Sequence, residues 1–140
     1  MLIASRDPDG AALERAQIVK GWLDRDGQLK ERVFDVAVSN GRAIDPVTQR
    51  VAPLSAENVD LEAAIFSNAP GAAELRVVWQ DLTYEPQVPA FYYARVLQVP
   101  TPRWPAFDRA YFGSAVREDA TLVTQERAYS SPIWVTINSN

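Results

Sequence analysis

The chain contains no cysteine and no histidine. Without cysteine there is no disulfide, no thiolate metal site and no thiol nucleophile. Without histidine there is no Ser-His-Asp triad, no imidazole-based zinc or iron centre, and no side chain that titrates unperturbed near neutrality. Lysine is scarce: Lys20 and Lys30 are the only two among 14 basic residues, a bias that arginine-rich codon usage accounts for. No apolar run approaches the roughly 20 residues that span a bilayer. Residues Met1 to Asp7 show no basic stretch leading into an apolar one, so they read as a strand and not as a secretory signal. No Asn-x-Ser/Thr acceptor occurs. These features leave both cytoplasm and periplasm open.

What is present is ordinary for a globular domain. The 140 residues are 47% hydrophobic and 23% charged. That length fits one domain over 1–140 and buries enough surface to fold without staples. The net charge is -4 and the pI about 4.8. An acidic chain argues against nucleic acid or an anionic membrane as partner, since both call for a basic face.

Turn residues punctuate short β-prone runs. Leu2 to Ser5 ends at the turn Asp7-Pro8-Asp9-Gly10. Ala11 to Arg15 reads as a helical turn or a loop. Ala16 to Leu23 and the alternating run Gln28 to Ser39 flank Asp26-Gly27 and predict a β-hairpin. Residues 42–57 form a long connection. Val59 to Phe66 is read as a strand or a short helix, with strand favoured. Glu74 to Asp81 is a strand, and Ala90 to Val99 is the most β-prone run and is expected at the centre of a sheet. Pro100, Pro102 and Pro105 interrupt the ladder. Trp104 to Phe112 is expected to hold a helical turn. Ala120 to Ala128 and Pro132 to Ile137 supply the last strand or strand pair. Six to eight short strands with little helix predict an all-β fold, an antiparallel immunoglobulin-like β-sandwich.

Candidate chemistry is thin. Asp7-x-Asp9-Gly10 and Asp24-x-Asp26-Gly27 open like calcium loops, but neither has the acid that should close the loop, so both read as tight turns. Ser130 and Ser131 have only Glu126 nearby, and a carboxylate without imidazole activates serine poorly. No catalytic residue, metal ligand or cofactor is assigned. Arg95 and Arg127 interrupt apolar strands and are expected to face solvent or pair with Glu126, Glu74 or Asp35. Tyr92, Trp104 and Tyr111 are the candidate platform for a glycan or polymer, against the alternative that these aromatics are core. Arg103, Trp104, Phe107 and Phe112, in a proline-framed segment, are the candidate docking residues, against a local loop that covers the end of the sandwich.

Three stretches carry a resemblance. They are Asp7-Pro8-Asp9-Gly10-Ala11 with Gln17-Ile18-Val19-Lys20-Gly21-Trp22 and Glu31-Arg32-Val33-Phe34-Asp35-Val36-Ala37; Phe91-Tyr92-Tyr93-Ala94-Arg95-Val96-Leu97 with Pro100-Thr101-Pro102-Arg103-Trp104; and Gln125-Glu126-Arg127-Ala128-Tyr129-Ser130-Ser131-Pro132-Ile133-Trp134. In this order they resemble the carboxyl-terminal region of the bacterial domain of unknown function 3604 (DUF3604) family, over nearly the whole chain. Long members of that family resemble PHP-type metal-dependent phosphoesterases in their amino-terminal portion, where a His-x-His motif and further acids hold metals. With no histidine here, those ligands carry over to no position. The resemblance implies a non-catalytic carboxyl-terminal module with a structural or docking role, whose partner is an upstream PHP-like domain. Two other readings stay open: a fragment lending substrate contacts to such a phosphoesterase, and a glycan-binding module. A two-fold homodimer through an open edge or the aromatic segment is the expected association, with a monomer as its alternative.

Overall fold

The computed structural model describes residues 1–136. It is mostly β, its sheets are antiparallel, and it has one α-helix among the described residues. The largest sheet contains β2 (Leu13–Leu23), β3 (Leu29–Val38) and β7 (Ala90–Gln98), ordered β7-β2-β3. Two short strands, β10 (Arg127–Tyr129) and β11 (Ile133–Val135), pair with successive halves of β7 on its far side. The Ser130-Ser131-Pro132 bend joins them. Ser130 fixes that bend by accepting the Ala94 N–H on its hydroxyl at 2.9 Å. It is a structural role for this serine.

The hairpin at Asp26-Gly27 forms as the sequence predicts. Asp24 caps it, accepting the N–H of Asp26 at 3.0 Å and of Gln28 at 2.8 Å, and Gly27 takes the left-handed conformation at φ 74°. The Asp7 turn works alike, with the Asp9 N–H on the Asp7 carboxylate. β7 is central, as its composition indicates.

A ribbon of β1 (Leu2–Ser5) and β6 (Glu74–Val77) lies against one face of the large sheet. Leu13, Ala16, Phe34, Val36 and Leu75 form the core between them, joined by Leu2, Ala4, Ile18, Val77, Trp79 and Val96. Burial of these side chains is the main stabilising term, at about 1.5–3 kcal/mol for each large one. The Phe34 and Trp79 rings meet at 5.0 Å and extend the core past the end of β6.

Elsewhere the structure departs from the sequence reading. Of Ala11 to Arg15 only Ala11 and Ala12 are loop, because β2 begins at Leu13. Val59 to Phe66 is split into β4 (Val59–Asp60) and β5 (Ile65–Phe66), because Asp60 caps a turn by accepting the N–H groups of Glu62 and Ala63. Thr101–Pro102 (β8) still pairs, briefly, with Val123–Thr124 (β9). Trp104–Phe112 is a full helix, α1, of nine residues. Pro105 sits in its first turn, where no donor is needed, and Gly113 closes it at φ 62° with its N–H on the Arg109 carbonyl.

Candidate functional site

β2 lies between two strands and is buried along most of its length, yet its sequence is rich in polar groups. Glu14, Arg15, Gln17 and Lys20 are all buried. A buried charge without a partner costs several kcal/mol, so each must be paired. Glu14 receives Arg15 at 3.1 Å, Arg42 at 2.7 Å and the Gln125 amide at 3.0 Å. Asp35, opposite Gln17 on β3, accepts Gln17, Arg50 at 3.1 Å and the backbone N–H of Val51 at 2.7 Å. Arg95 reaches across from β7 and donates its Nε–H to the Gln17 side-chain Oε1 at 2.6 Å. Arg95 therefore meets Asp35 through Gln17, whereas Arg127 is exposed. This network ties the 42–51 connection and the β9–β10 segment to the sheet, and among its described members only the buried Nε atoms of Arg15 and Arg42 lack a hydrogen bond.

A second constellation lies on the core face. Lys20 Nζ donates to Asp81 Oδ2 at 2.6 Å and to the Thr83 carbonyl at 3.2 Å. The Tyr92 hydroxyl donates to the same Asp81 oxygen at 2.8 Å, and Thr83 donates its N–H and hydroxyl to the other. Lys20 also stands 5.1 Å from the Trp22 ring centroid and 5.8 Å from that of Tyr92. Burial pushes the Asp81 carboxyl up, but the bonds from Lys20, Thr83 and Tyr92 outweigh it and hold the group down at about 2. Burial first, then the hydrogen bond to Asp81 and its charge, push the Tyr92 hydroxyl far above its ordinary value. A lysine, an aspartate and a tyrosine together suggest proton chemistry. Here Asp81 is kept ionised and Tyr92 is kept protonated, and each is spent on the other. The arrangement clamps the 79–83 segment to the sheet.

The opposite face of the large sheet carries a row of rings. Trp134 faces Phe91 in the β11–β7 pairing, with centroids 5.1 Å apart. Phe91 and Tyr93 are 6.4 Å apart and within 9° of parallel. Tyr93 is followed by Tyr129 at 6.1 Å. Gly21, paired with Phe91, makes room for it: a Cβ at Gly21 would collide with the tip of the Phe91 ring. Beside the row, Gly21, Leu23, Leu29, Pro89, Phe91 and Trp134 line an open apolar groove of about 590 Å³.

The residues singled out from sequence fall in different places. Tyr92 points to the core face, against Trp79 and Lys20. Trp104 and Tyr111 lie on α1, exposed by 67% and 71%, and among the described residues neither ring pairs with that of Tyr92, which meets Trp79. Trp104, Phe107 and Tyr111 recur at i, i+3 and i+7, one stripe of the helix, with Phe112 beside it at 78% exposure. Arg103 is the N-cap residue of the helix, and its carbonyl accepts the N–H of Ala106 at 2.9 Å. The aromatic row was visible in part, because Phe91, Tyr93 and Arg95 share one parity. Trp134 and Tyr129 join it only through the β7 pairings, which sequence spacing does not reveal.

Among the described residues, no group of three or more Asp or Glu side chains gathers where one ion could be held. Among the described residues no helix is long and apolar enough to cross a membrane. The fold is mostly β and antiparallel, with a hydrogen-bonded polar interior along β2 and aromatic side chains exposed on α1 and on the large sheet. The chain belongs to a family described as protein of unknown function (DUF3604), whose model matches residues 1–137. No curated protein and no solved structure matches the chain.

Proposed function

We propose that this chain is a non-catalytic carboxyl-terminal module of a DUF3604 protein, one immunoglobulin-like β-sandwich domain over 1–140, which docks through α1. The upstream PHP-like domain of the parent protein is the natural partner for that face, and in isolation a second copy takes its place as a two-fold dimer. The layering of the β1–β6 ribbon on the large sheet supports the sandwich reading. The α1 stripe supports docking. Pro105 and Ala106 are buried and Arg109 donates to the Leu61 carbonyl at 3.0 Å, so the helix is anchored on one side. Its other side presents Trp104 and Tyr111 to solvent, and Phe112 is open at its C-terminal end, each more than 60% exposed. A monomer seldom leaves several large aromatics on one helix uncovered.

Light scattering coupled to size exclusion tests this at micromolar concentration over a tenfold dilution. A dimer mass is expected for the wild type and a monomer mass for the double variant Trp104→Glu, Tyr111→Glu. A wild type that stays monomeric throughout, or a double variant with unchanged mass, overturns the α1 reading.

A further inference from the structure

We propose that the row Trp134, Phe91, Tyr93 and Tyr129 is a binding face for a neutral oligosaccharide, distinct from the α1 stripe. Three observations carry it. The first is shape. Gly21 lets the tip of the Phe91 ring settle over the β2 backbone, so Phe91 lies down across the sheet instead of standing up from it. Tyr93 shares its orientation to within 9°. The two parallel rings make an apolar platform beside Gly21, and Trp134 and Tyr129 continue it at both ends, tilted by 48° and 45° to their neighbours.

The second observation is the hydrogen-bonding rim. The Tyr93 and Tyr129 hydroxyls carry no protein hydrogen bond, and Arg95 uses only its Nε, on Gln17, among the described residues. At the other end, Glu31 borders the apolar groove beside Phe91 and Trp134. A row of rings flanked by such donors and acceptors matches a ligand with C–H faces and a hydroxyl edge, which is the chemistry of a pyranose. An apolar partner surface would leave those polar groups desolvated and unpaired.

The third observation is charge. The rim mixes Arg95 with Glu31 and shows no single sign, and the whole chain carries -4. Nucleobases also stack on such rings, but single-stranded nucleic acid needs a positively charged groove along its backbone. The face is therefore complementary to a neutral chain and not to a polyanion.

Isothermal titration of the full chain with cellohexaose, xylohexaose, mannohexaose and chitohexaose tests this, with a polyuronate hexamer as the charged control. Binding of at least one neutral hexaose is expected in the micromolar to millimolar range. Tyr93→Ala and Trp134→Ala should each weaken it at least tenfold, and Trp104→Glu with Tyr111→Glu should leave it within twofold. Gly21→Ala, which lifts the Phe91 ring, should also weaken it, while circular dichroism confirms that each variant is folded. The proposal is overturned if no neutral hexaose binds at millimolar concentration. It is equally overturned if only the polyuronate binds, or if Tyr93→Ala and Trp134→Ala bind as the wild type does. A change of oligomeric mass in those two variants without loss of saccharide binding assigns the face to a second copy instead, and also overturns it.

Discussion

Replacing Asp81 with asparagine should destabilise the protein by an amount that depends on pH. Asp81 and Lys20 are both about 7% exposed, so their attraction is little screened. The carboxyl is held at about 2 against an ordinary 3.8. That depression corresponds to about 2.5 kcal/mol of stability at neutral pH. A depressed acid stabilises the fold above its unfolded value and loses that contribution as pH falls through its folded value. The window is thus from about pH 4 down to about 2, with about 1 kcal/mol gone by pH 3. Asp81→Asn also strands a buried ammonium, and breaking such a pair costs about 3–5 kcal/mol. Urea denaturation of both proteins at pH 7 and pH 3 measures the effect. The penalty of the variant should be about 1 kcal/mol smaller at pH 3, because the wild type has by then lost part of the same interaction. Comparing the two proteins cancels every other titrating carboxylate. A penalty that is the same at both pH values would refute the clamp.

Absorbance at 295 nm during alkaline titration should show one of the five tyrosines ionising well after the others, and Tyr92→Phe should remove that late step. Asp35→Ala takes away the acceptor for Gln17, Arg50 and the Val51 N–H, and should cost about 3–5 kcal/mol in urea denaturation. Gly71→Ala drives a methyl into the Ala12 Cβ and to 2.9 Å from Val99 Cγ1, in a site walled by backbone-fixed atoms, and should lower stability by about 1–3 kcal/mol.

The sequence made the β2–β3 hairpin and the central place of β7 legible, because turn chemistry and alternation agree there. It concealed the start of β2. Glu14 and Arg15 look like surface residues, and only their partners Arg42, Gln125 and Asp35, 20 or more residues distant except for the adjacent pair they form, make burial affordable. Helix α1 was underestimated although its signals were present: proline in the first turn and glycine after the last. Three prolines within six residues outweighed them in a reading based on ladders. The candidate platform of Tyr92, Trp104 and Tyr111 grouped aromatics by sequence proximity. Strand parity separates Tyr92 from Phe91 and Tyr93, and sends it to Asp81 on the core face.

The polar character of β2 and the bareness of the aromatic row are linked through strand parity. Gln17, Val19 and Gly21 share one face of β2 and are paired with Arg95, Tyr93 and Phe91 in turn. Along that face the strand passes from a hydrogen-bonded amide, through a buried valine, to a glycine that admits a ring. The Gln17 end is held by Asp35 and Arg95, which fixes the register of β7 on β2. A slip of one residue would turn Phe91 and Tyr93 to the core face and bring Tyr92 and Ala94 out in their place. The buried amide thus acts at a distance on the surface: it specifies which rings are displayed, without touching them. Substituting Gln17 with leucine should therefore perturb the aromatic row as well as the network, a coupling that ring-current shifts of Phe91 and Tyr93 would report.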